Sequence, residues 1–376
     1  MSNSPSFIYL DYNATFPSPE GVVSALAEAL RLGGNPSSTH GAGRKAKQVL
    51  NRSREIIATF LGAHPNQVIF TSGGTEANAM VLMGSQRSPI ILTETEHDSV
   101  HRVVTEQPGL DHHFVPINNQ GIVDLQALEQ SLIEAKTPAL VSILLANNET
   151  GILNPVEEIV SISHKHGSLV HVDAIQALGK IPISFHKLDA DFLTVSAHKV
   201  GGPQGVGALI AKEELPMVPL YLGGGQEKSR RSGTENVSGI AGFAAALEII
   251  GEWNTKELES KRNVIEDALR SICPDLVIVG RDSPRLSNTC SLTMPGVPNS
   301  TQVIAFDLEG IAISSGAACS SGKIKSSRIL KAMGFSDQQA SEAIRVSLGP
   351  DTPMEHVEQF IRTWKKIYHN HHKNVA

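Results

Sequence analysis

The chain has 376 residues, 40% of them hydrophobic, and sets 32 basic against 38 acidic side chains for a net charge of −6. That length supports a large core and two domains, and the acidic balance gives no basic field for nucleic acid or an anionic membrane surface. A polar opening decapeptide, no apolar run of membrane-span length, and three cysteines (Cys273, Cys290, Cys319) without metal-ligand spacing point to a soluble protein of the reducing cytoplasm with no metal.

Y-L-D-Y-N-A-T-F-P-S-P reads as a short strand entering a Pro-punctuated turn, followed by a helix over 21–30. The loop G-G-N-P-S-S-T-H-G-A-G leads to a helix in which Val49, Ile56, Ile57 and Phe60 recur at helical spacing. After Gly62, strand and helix alternate. Apolar runs at 68–71, 90–93, 113–117, 139–146, 169–173, 192–196 and 207–211 read as strands, with helical patterns such as 124–135 and 155–166 between them. Asp124 suits a helix N-cap and Gly167 a helix stop. Such alternation predicts an α/β fold built on a mainly parallel seven-stranded sheet covered on both faces.

From about residue 235 the texture changes. An unbroken helical run over 236–273 bridges to strands at 276–279 and 289–293, a helix at 301–308, a strand at 311–315 and two C-terminal helices. The predicted organisation is a large domain over 16–250 and a smaller α+β domain over 251–376, with 1–15 packing against the smaller one. The terminal H-N-H-H-K reads as a solvated end.

Two predicted strand ends carry the chemistry. The run L-V-H-V-D ends on Asp173, and F-L-T-V-S-A-H-K delivers Ser196, His198 and Lys199. Strand tips of an open parallel sheet are where ligands bind. A lysine and a carboxylate at one crevice suit a bound pyridine aldehyde: the amine condenses with the aldehyde, and the carboxylate keeps the ring nitrogen protonated. Either residue alone reads equally well as a surface lysine or a core-edge aspartate.

Other segments point to the same edge. T-S-G-G-T-E-A-N opens a helix after a strand, so Gly74 and Thr75 can present N–H groups to a phosphate. R-S-G-T (Arg231 to Thr234) is a further phosphate candidate or an ordinary turn. His97, after the strand at 90–93, can stack on a ring and move protons. Asn148 of N-N-E-T-G can bond a substrate carboxylate or a ring oxygen, and Gln176 can reach that oxygen or cap a helix. Cys319 lies among glycine, serine and nearby lysines in S-S-G-A-A-C-S-S-G-K-I-K-S-S, surroundings that favour a reactive thiolate over a core thiol. Arg345, in A-I-R-V-S-L-G, needs a carboxylate, either a substrate's or an internal partner's.

Taken in order, D-Y-N-A-T, G-N-P-S-S-T-H-G, T-S-G-G-T-E-A-N, T-E-H, N-N-E-T-G, H-V-D-A-I-Q, S-A-H-K-x-G-G-P-x-G-x-G, R-S-G-T, S-S-G-A-A-C and I-R-V-S-L-G resemble the group I cysteine desulfurases of the NifS/IscS type, in the class-V aminotransferase family. The resemblance covers essentially the whole chain. It implies the aspartate-aminotransferase-like fold (fold type I) of pyridoxal-phosphate enzymes and a homodimer with its site at the subunit interface. It further implies that Lys199 is the Schiff-base lysine, that Asp173 pairs with the ring nitrogen and Gln176 with the ring oxygen, and that His97 stacks and acts as acid and base. By the same resemblance Thr75, Ser196 and His198 hold the phosphate with Thr234 of the second subunit, Asn148 and Arg345 grip the carboxylate of L-cysteine, and Cys319 becomes the persulfide.

The implied activity converts L-cysteine to L-alanine and passes sulfur to a protein acceptor such as an iron–sulfur scaffold. Selenocysteine lyase, a related pyridoxal-phosphate lyase or aminotransferase, and a non-catalytic assembly scaffold stand as alternatives. One departure concerns the acceptor: many group I members carry Glu-Pro-Ser after the cysteine, and the matching stretch here is Lys325, Ser326 and Ser327.

Overall fold

The computed structural model describes residues 7–251, 253–316 and 326–373. Its strands, in chain order, are β1 (Ile8–Tyr9), β2 (Val68–Thr71), β3 (Ile90–Thr93), β4 (His112–Val115), β5 (Leu140–Leu144), β6 (Leu169–Asp173), β7 (Phe192–Ser196), β8 (Gly207–Ala211), β9 (Thr289–Thr293), β10 (Ile311–Ala312) and β11 (Ala343–Ser347). Seven of them form one sheet in the order β2-β8-β7-β6-β5-β3-β4. It is parallel except at β8, which runs antiparallel to both β2 and β7. That is the expected α/β architecture.

Alternate side chains along these strands feed two separate cores, as the two-residue period of a strand requires. Val68, Phe70, Ile91, Val141, Val172 and Leu193 face the helices Gly41–Phe60, Leu125–Glu134, Val156–Lys165 and Val237–Ile250. Ile69, Ile90, Leu92, Leu140, Phe192 and Leu209 face the helices Gly74–Gly84 and Asp98–Glu106. β5, β7 and β8 are buried along their whole length, which is why they read as continuous apolar runs.

A third core lies outside the large sheet. Leu10, Leu258, Ile265, Leu292, Ile344 and Trp364 pack there with Phe306 and Phe360, whose rings stack at 5.0 Å. Two small sheets frame it: β1 pairs parallel with β10, and β9 antiparallel with β11. The N-terminal strand therefore joins the C-terminal part of the chain, as expected.

Several boundaries differ from the sequence reading. The helical run over 236–273 is two helices, Val237–Ile250 and Thr255–Ile272. Gly251 turns at φ +52, Trp253 inserts into the third core, and Asn254 caps the next helix by accepting from Glu257 N–H at 3.3 Å. The stretch 276–279 is not a strand. It makes a single bridge, Ile278 to Leu292, and the Val277 N–H donates to the Thr293 hydroxyl at 3.1 Å. The strand expected at 311–315 stops after Ala312, and Ser314 bridges to Arg345 instead. β4 ends at Val115 because Pro116 has no N–H to continue the ladder. Asp124 does cap its helix, and Gly167 follows the next one at φ +68.

Candidate active site

A cavity of about 320 Å³ opens at the ends of β6 and β7, lined among others by Lys199, Asp173, His97, Asn148 and Arg345. Gly74, Thr75, Gln176, Ser196 and His198 also reach it. Ten of the predicted residues are thus gathered from six separate segments of the sequence. Thr234 is not among them: it is exposed, in a shallow depression beside Tyr221 and Leu222. Cys319 lies outside the described residues. A larger hollow, about 640 Å³, is lined by Arg54 and Glu227. Those two pair with each other at 2.6 Å, and none of the predicted residues reaches it.

Asp173 is the last residue of β6, with neighbours on both sides of its strand. One carboxylate oxygen accepts from Ile175 N–H at 3.0 Å and the other from Asn78 Nδ2 at 2.8 Å. Burial nevertheless raises its pKa, and the Ile175 and Asn78 bonds and the charges of His97 and Lys199 only partly offset this. A buried carboxyl with no cation in hydrogen-bond contact among the described residues has room for a cationic N–H partner.

The same asparagine connects Asp173 to His97. Asn78 Nδ2 also donates to Ser99 Oγ at 2.9 Å, and Ser99 Oγ lies 2.8 Å from His97 Nδ1. Ser99 N–H donates to that Nδ1 at 3.1 Å, which makes Nδ1 the acceptor and leaves the proton of the neutral ring on Nε2. Burial, opposed by the Asp173 charge, holds the His97 pKa below its ordinary value, so the ring is neutral near pH 7.

Lys199 follows β7 in a short helical turn, and its Nζ donates to the carbonyls of Asn13 at 2.7 Å and Ala14 at 2.9 Å. Asn13 is a hub: its carbonyl also accepts from Gln176 Nε2 at 2.9 Å, and its Nδ2 donates to Thr289 Oγ1 at 2.9 Å. The amine of Lys180 bonds Gln176 Oε1 at 2.7 Å and Asn13 Oδ1 at 2.6 Å. Burial first, then the charges of Lys199 and Arg345, lowers the Lys180 pKa well below 10.5. His198 shares a 3.0 Å bond between Nδ1 and Thr15 Oγ1, and burial, then the Lys199 charge, pushes its pKa to about 4.

The helix Gly74–Gly84 starts at the cavity with no side-chain cap, so its first N–H groups face an incoming anion. Gly74 leaves room for a neighbour there: a Cβ would lie 2.1 Å from Ile175 Cδ1, so that side chain would have to shift. Arg231 reaches this helix start through Glu76 at 2.8 Å, so the R-S-G-T segment touches the uncapped helix start by its arginine. On the opposite wall Arg345 donates to Asp11 at 2.6 Å and to the Asn148 carbonyl at 2.9 Å. The internal ion pair weighed for this arginine therefore exists. Arg345 Nε and Asn148 Oδ1 are buried with no hydrogen-bond partner among the described residues, so the wall retains polar capacity for a ligand.

Sequence reading missed Asn13, Asn78, Lys180 and Glu96. Asn13, Asn78 and Glu96 stand inside motifs quoted for other reasons, and Lys180 is a buried polar residue that periodicity cannot distinguish from a surface one. Glu96 accepts from Thr93 Oγ1 and Leu144 N–H, both at 2.8 Å. Burial, with help from the Asp173 charge, lifts its pKa to about 8.

Residues 8–360 match the family model described as Aminotransferase class-V. Over 372 residues the chain is 35% identical to "Cysteine desulfurase IscS" of Dictyoglomus turgidum, covering 96% of this chain and 94% of that one. It is 37% identical to the "IscS-like cysteine desulfurase" of Mycobacterium tuberculosis, covering 91% of each. Among solved structures, the NifS-like protein from Rickettsia africae superposes with a TM-score of 0.89 at 36% identity, over 96% of this chain and 99% of that one. A structure titled "SspA in complex with cysteine" superposes with a TM-score of 0.81 at 30% identity, covering 91% of this chain and 99% of that one. The fold, the gathered residues and these likenesses agree: the chain belongs to the class-V aminotransferases, in the cysteine desulfurase family.

Proposed function

We propose that this protein is a pyridoxal-phosphate-dependent cysteine desulfurase that turns L-cysteine into L-alanine and carries the sulfur as a persulfide on Cys319. The observation that carries the reading is Asp173 and Lys199 at adjacent strand ends of one cavity, with an uncapped helix start and Gly74 beside them. When bound, pyridoxal phosphate supplies an aldehyde for an amine and a protonated ring that withdraws electrons from the substrate. Lys199 supplies the amine, and Asp173 holds the ring-nitrogen proton. Gly74, Thr75, Ser196 and His198 hold the phosphate, and Gln176 the ring oxygen. His97, neutral with Nδ1 engaged, relays protons near the substrate.

Asn148 and Arg345 take the substrate carboxylate, for which the unpaired Arg345 Nε is a ready donor. In the net step the Cβ–S bond of L-cysteine breaks and a sulfur–sulfur bond to Cys319 forms. Cβ keeps the electron pair and gains a proton, so the thiol hydrogen count balances with no external oxidant. Gly316 lines the cavity, and Cys319 follows three residues later. Three residues span at most about 11 Å, so chain length supports the thiol's reaching the substrate.

The same reading takes residues 16–250 as the cofactor-binding domain and 1–15 with 251–376 as the second. It makes the protein a cytoplasmic homodimer, in which each Thr234 serves the other subunit's phosphate. The exposed Thr234 and its neighbour Leu222, 87% exposed, support this. The sulfur acceptor is a protein of the iron–sulfur scaffold class, in keeping with the relatives named IscS.

The test is purified holoenzyme with L-cysteine and a thiol reductant, scoring alanine and sulfide, then the same with Cys319→Ala. Equal yields from wild type and no sulfide from the variant are expected. Wild-type sulfide release by the variant would refute the persulfide role. Faster turnover of L-selenocysteine than of L-cysteine would move the assignment to a selenocysteine lyase.

A further inference from the structure

Glu149 is a buried carboxyl that none of the roles above uses. It sits in the N-N-E-T-G turn, where Asn147 Oδ1 accepts from the backbone N–H groups of Glu149 at 2.9 Å and Thr150 at 3.0 Å. The turn also carries Asn148, whose carbonyl receives the Arg345 guanidinium. Burying a carboxyl in such a place costs free energy unless its oxygens are bonded, so what they bond identifies the use.

One oxygen meets both ends of a single stretch of chain. Ser327 Oγ donates to Glu149 Oε2 at 2.5 Å. The same serine caps the helix Arg328–Ala332, accepting from Leu330 N–H at 3.1 Å. Gly316, at φ +75, lies beside the same oxygen: a Cβ there would stand at ordinary contact distance, 3.4 Å, from Glu149 Oε2. Gly316 and Ser327 flank Cys319 in sequence. Arg328 then fastens the helix start to the His97 turn, donating to the Glu96 carbonyl at 2.8 Å and to Asp98 at 3.3 Å. Burial raises the Glu149 pKa, while the Ser327 bond and the Arg345 charge oppose that shift.

We propose that Glu149 is a positioning residue for sulfur transfer: its carboxyl binds Ser327 beside Gly316, tying the C-terminal flank of the cysteine-bearing stretch to the turn that carries Asn148. The inference rests on the desulfurase reading and adds to it a residue that touches neither substrate nor cofactor. Glu149 sets where the C-terminal attachment point of that stretch stands relative to Asn148 and Arg345. An apolar residue of like size would fill the space and lose that link.

The experiment is a double-mutant cycle in holoenzyme, reading Cys319 persulfide formation by quenched mass spectrometry in a single turnover. The Kd for L-cysteine is read in parallel from the cofactor's absorbance. Glu149→Ala and Ser327→Ala should each slow persulfide formation by about tenfold, the worth of one buried hydrogen bond, with the Kd unchanged. The double variant should lose less than the product of the two single losses, because both singles remove the Glu149–Ser327 bond, and Ser327→Thr should recover the rate. Multiplicative losses, a loss that follows the Kd, or wild-type rates in both singles would overturn the proposal. If wild type itself forms no persulfide, the desulfurase reading fails and this inference falls with it, an outcome distinct from normal wild type with unaffected variants.

Discussion

Asp173 and Ser196 stand on strands hydrogen-bonded on both sides within a seven-stranded sheet, whereas Arg345 and Gly316 stand in or beside sheets of only two strands. The wall that carries Asp173 and Ser196 inherits its geometry from the backbone ladder and from the cores on either face of it. The wall that carries Asn148 and Arg345 is positioned by side-chain bonds: Arg345 to Asp11 and Glu149 to Ser327. The difference separates two sources of precision in one cavity. Backbone pairing holds Asp173 and Ser196, and polar side-chain bonds hold Arg345 and Ser327.

Removing charge from the sheet wall gives the largest expected effect. Asp173→Asn keeps the size of the side chain but not the counter-charge, and turnover of L-cysteine at saturating cofactor should fall by about 10²–10³-fold, the cost of unpairing a buried charge. Alanine production at the wild-type rate would dismiss the role given to Asp173. Away from the cavity, Glu266→Ala leaves Arg285 and Arg262 buried without their shared carboxylate. A loss of about 3–5 kcal/mol in denaturant unfolding is expected. A change confined to activity would mean that this pair does not hold the third core together.

Smaller effects sharpen the contrast. Gly74→Ala drives a methyl into Ile175, and overpacking of this kind should weaken pyridoxal-phosphate affinity by about tenfold. Adding Ile175→Val, which deletes the clashing Cδ1, should restore it; cofactor titration reads both.

Glu96→Gln is read through pH dependence and leaves activity aside. Burial raises the Glu96 carboxyl from 4.5 to about 8, so the fold prefers its protonated form. That preference contributes fully below pH 4.5 and is lost as pH rises through about 8. Glutamine mimics the protonated acid at every pH. Wild type should therefore lose stability relative to the variant between about pH 5 and about pH 8, measured as urea midpoints. A constant difference would show that Glu96 stays ionised.

The large sheet was legible because strands buried on both faces are continuous apolar runs, and each carries its chemistry at the end, next to a turn. Val68–Thr71, Ile90–Thr93, Leu169–Asp173, Phe192–Ser196 and Gly207–Ala211 are found where the sequence reading puts them. The second region was read less well. There the helical period runs on through Gly251 and Trp253, and the helix ends where Gly251 turns at φ +52 and Trp253 packs into the third core. Whether 276–279 pairs as a strand depends on a threonine hydroxyl of the neighbouring strand, which no local pattern records.

The sequence by itself determined which segments are strands and helices and which residue types arrive at the sheet edge, because periodicity and turn chemistry are local properties. Only the tertiary structure decided that β8 runs against its neighbours, that Asn78 links His97 to Asp173, and that Asn13 joins Lys199 to the third core. Those contacts join residues far apart in the chain, and a hydrogen bond acts only over the distance between its own atoms.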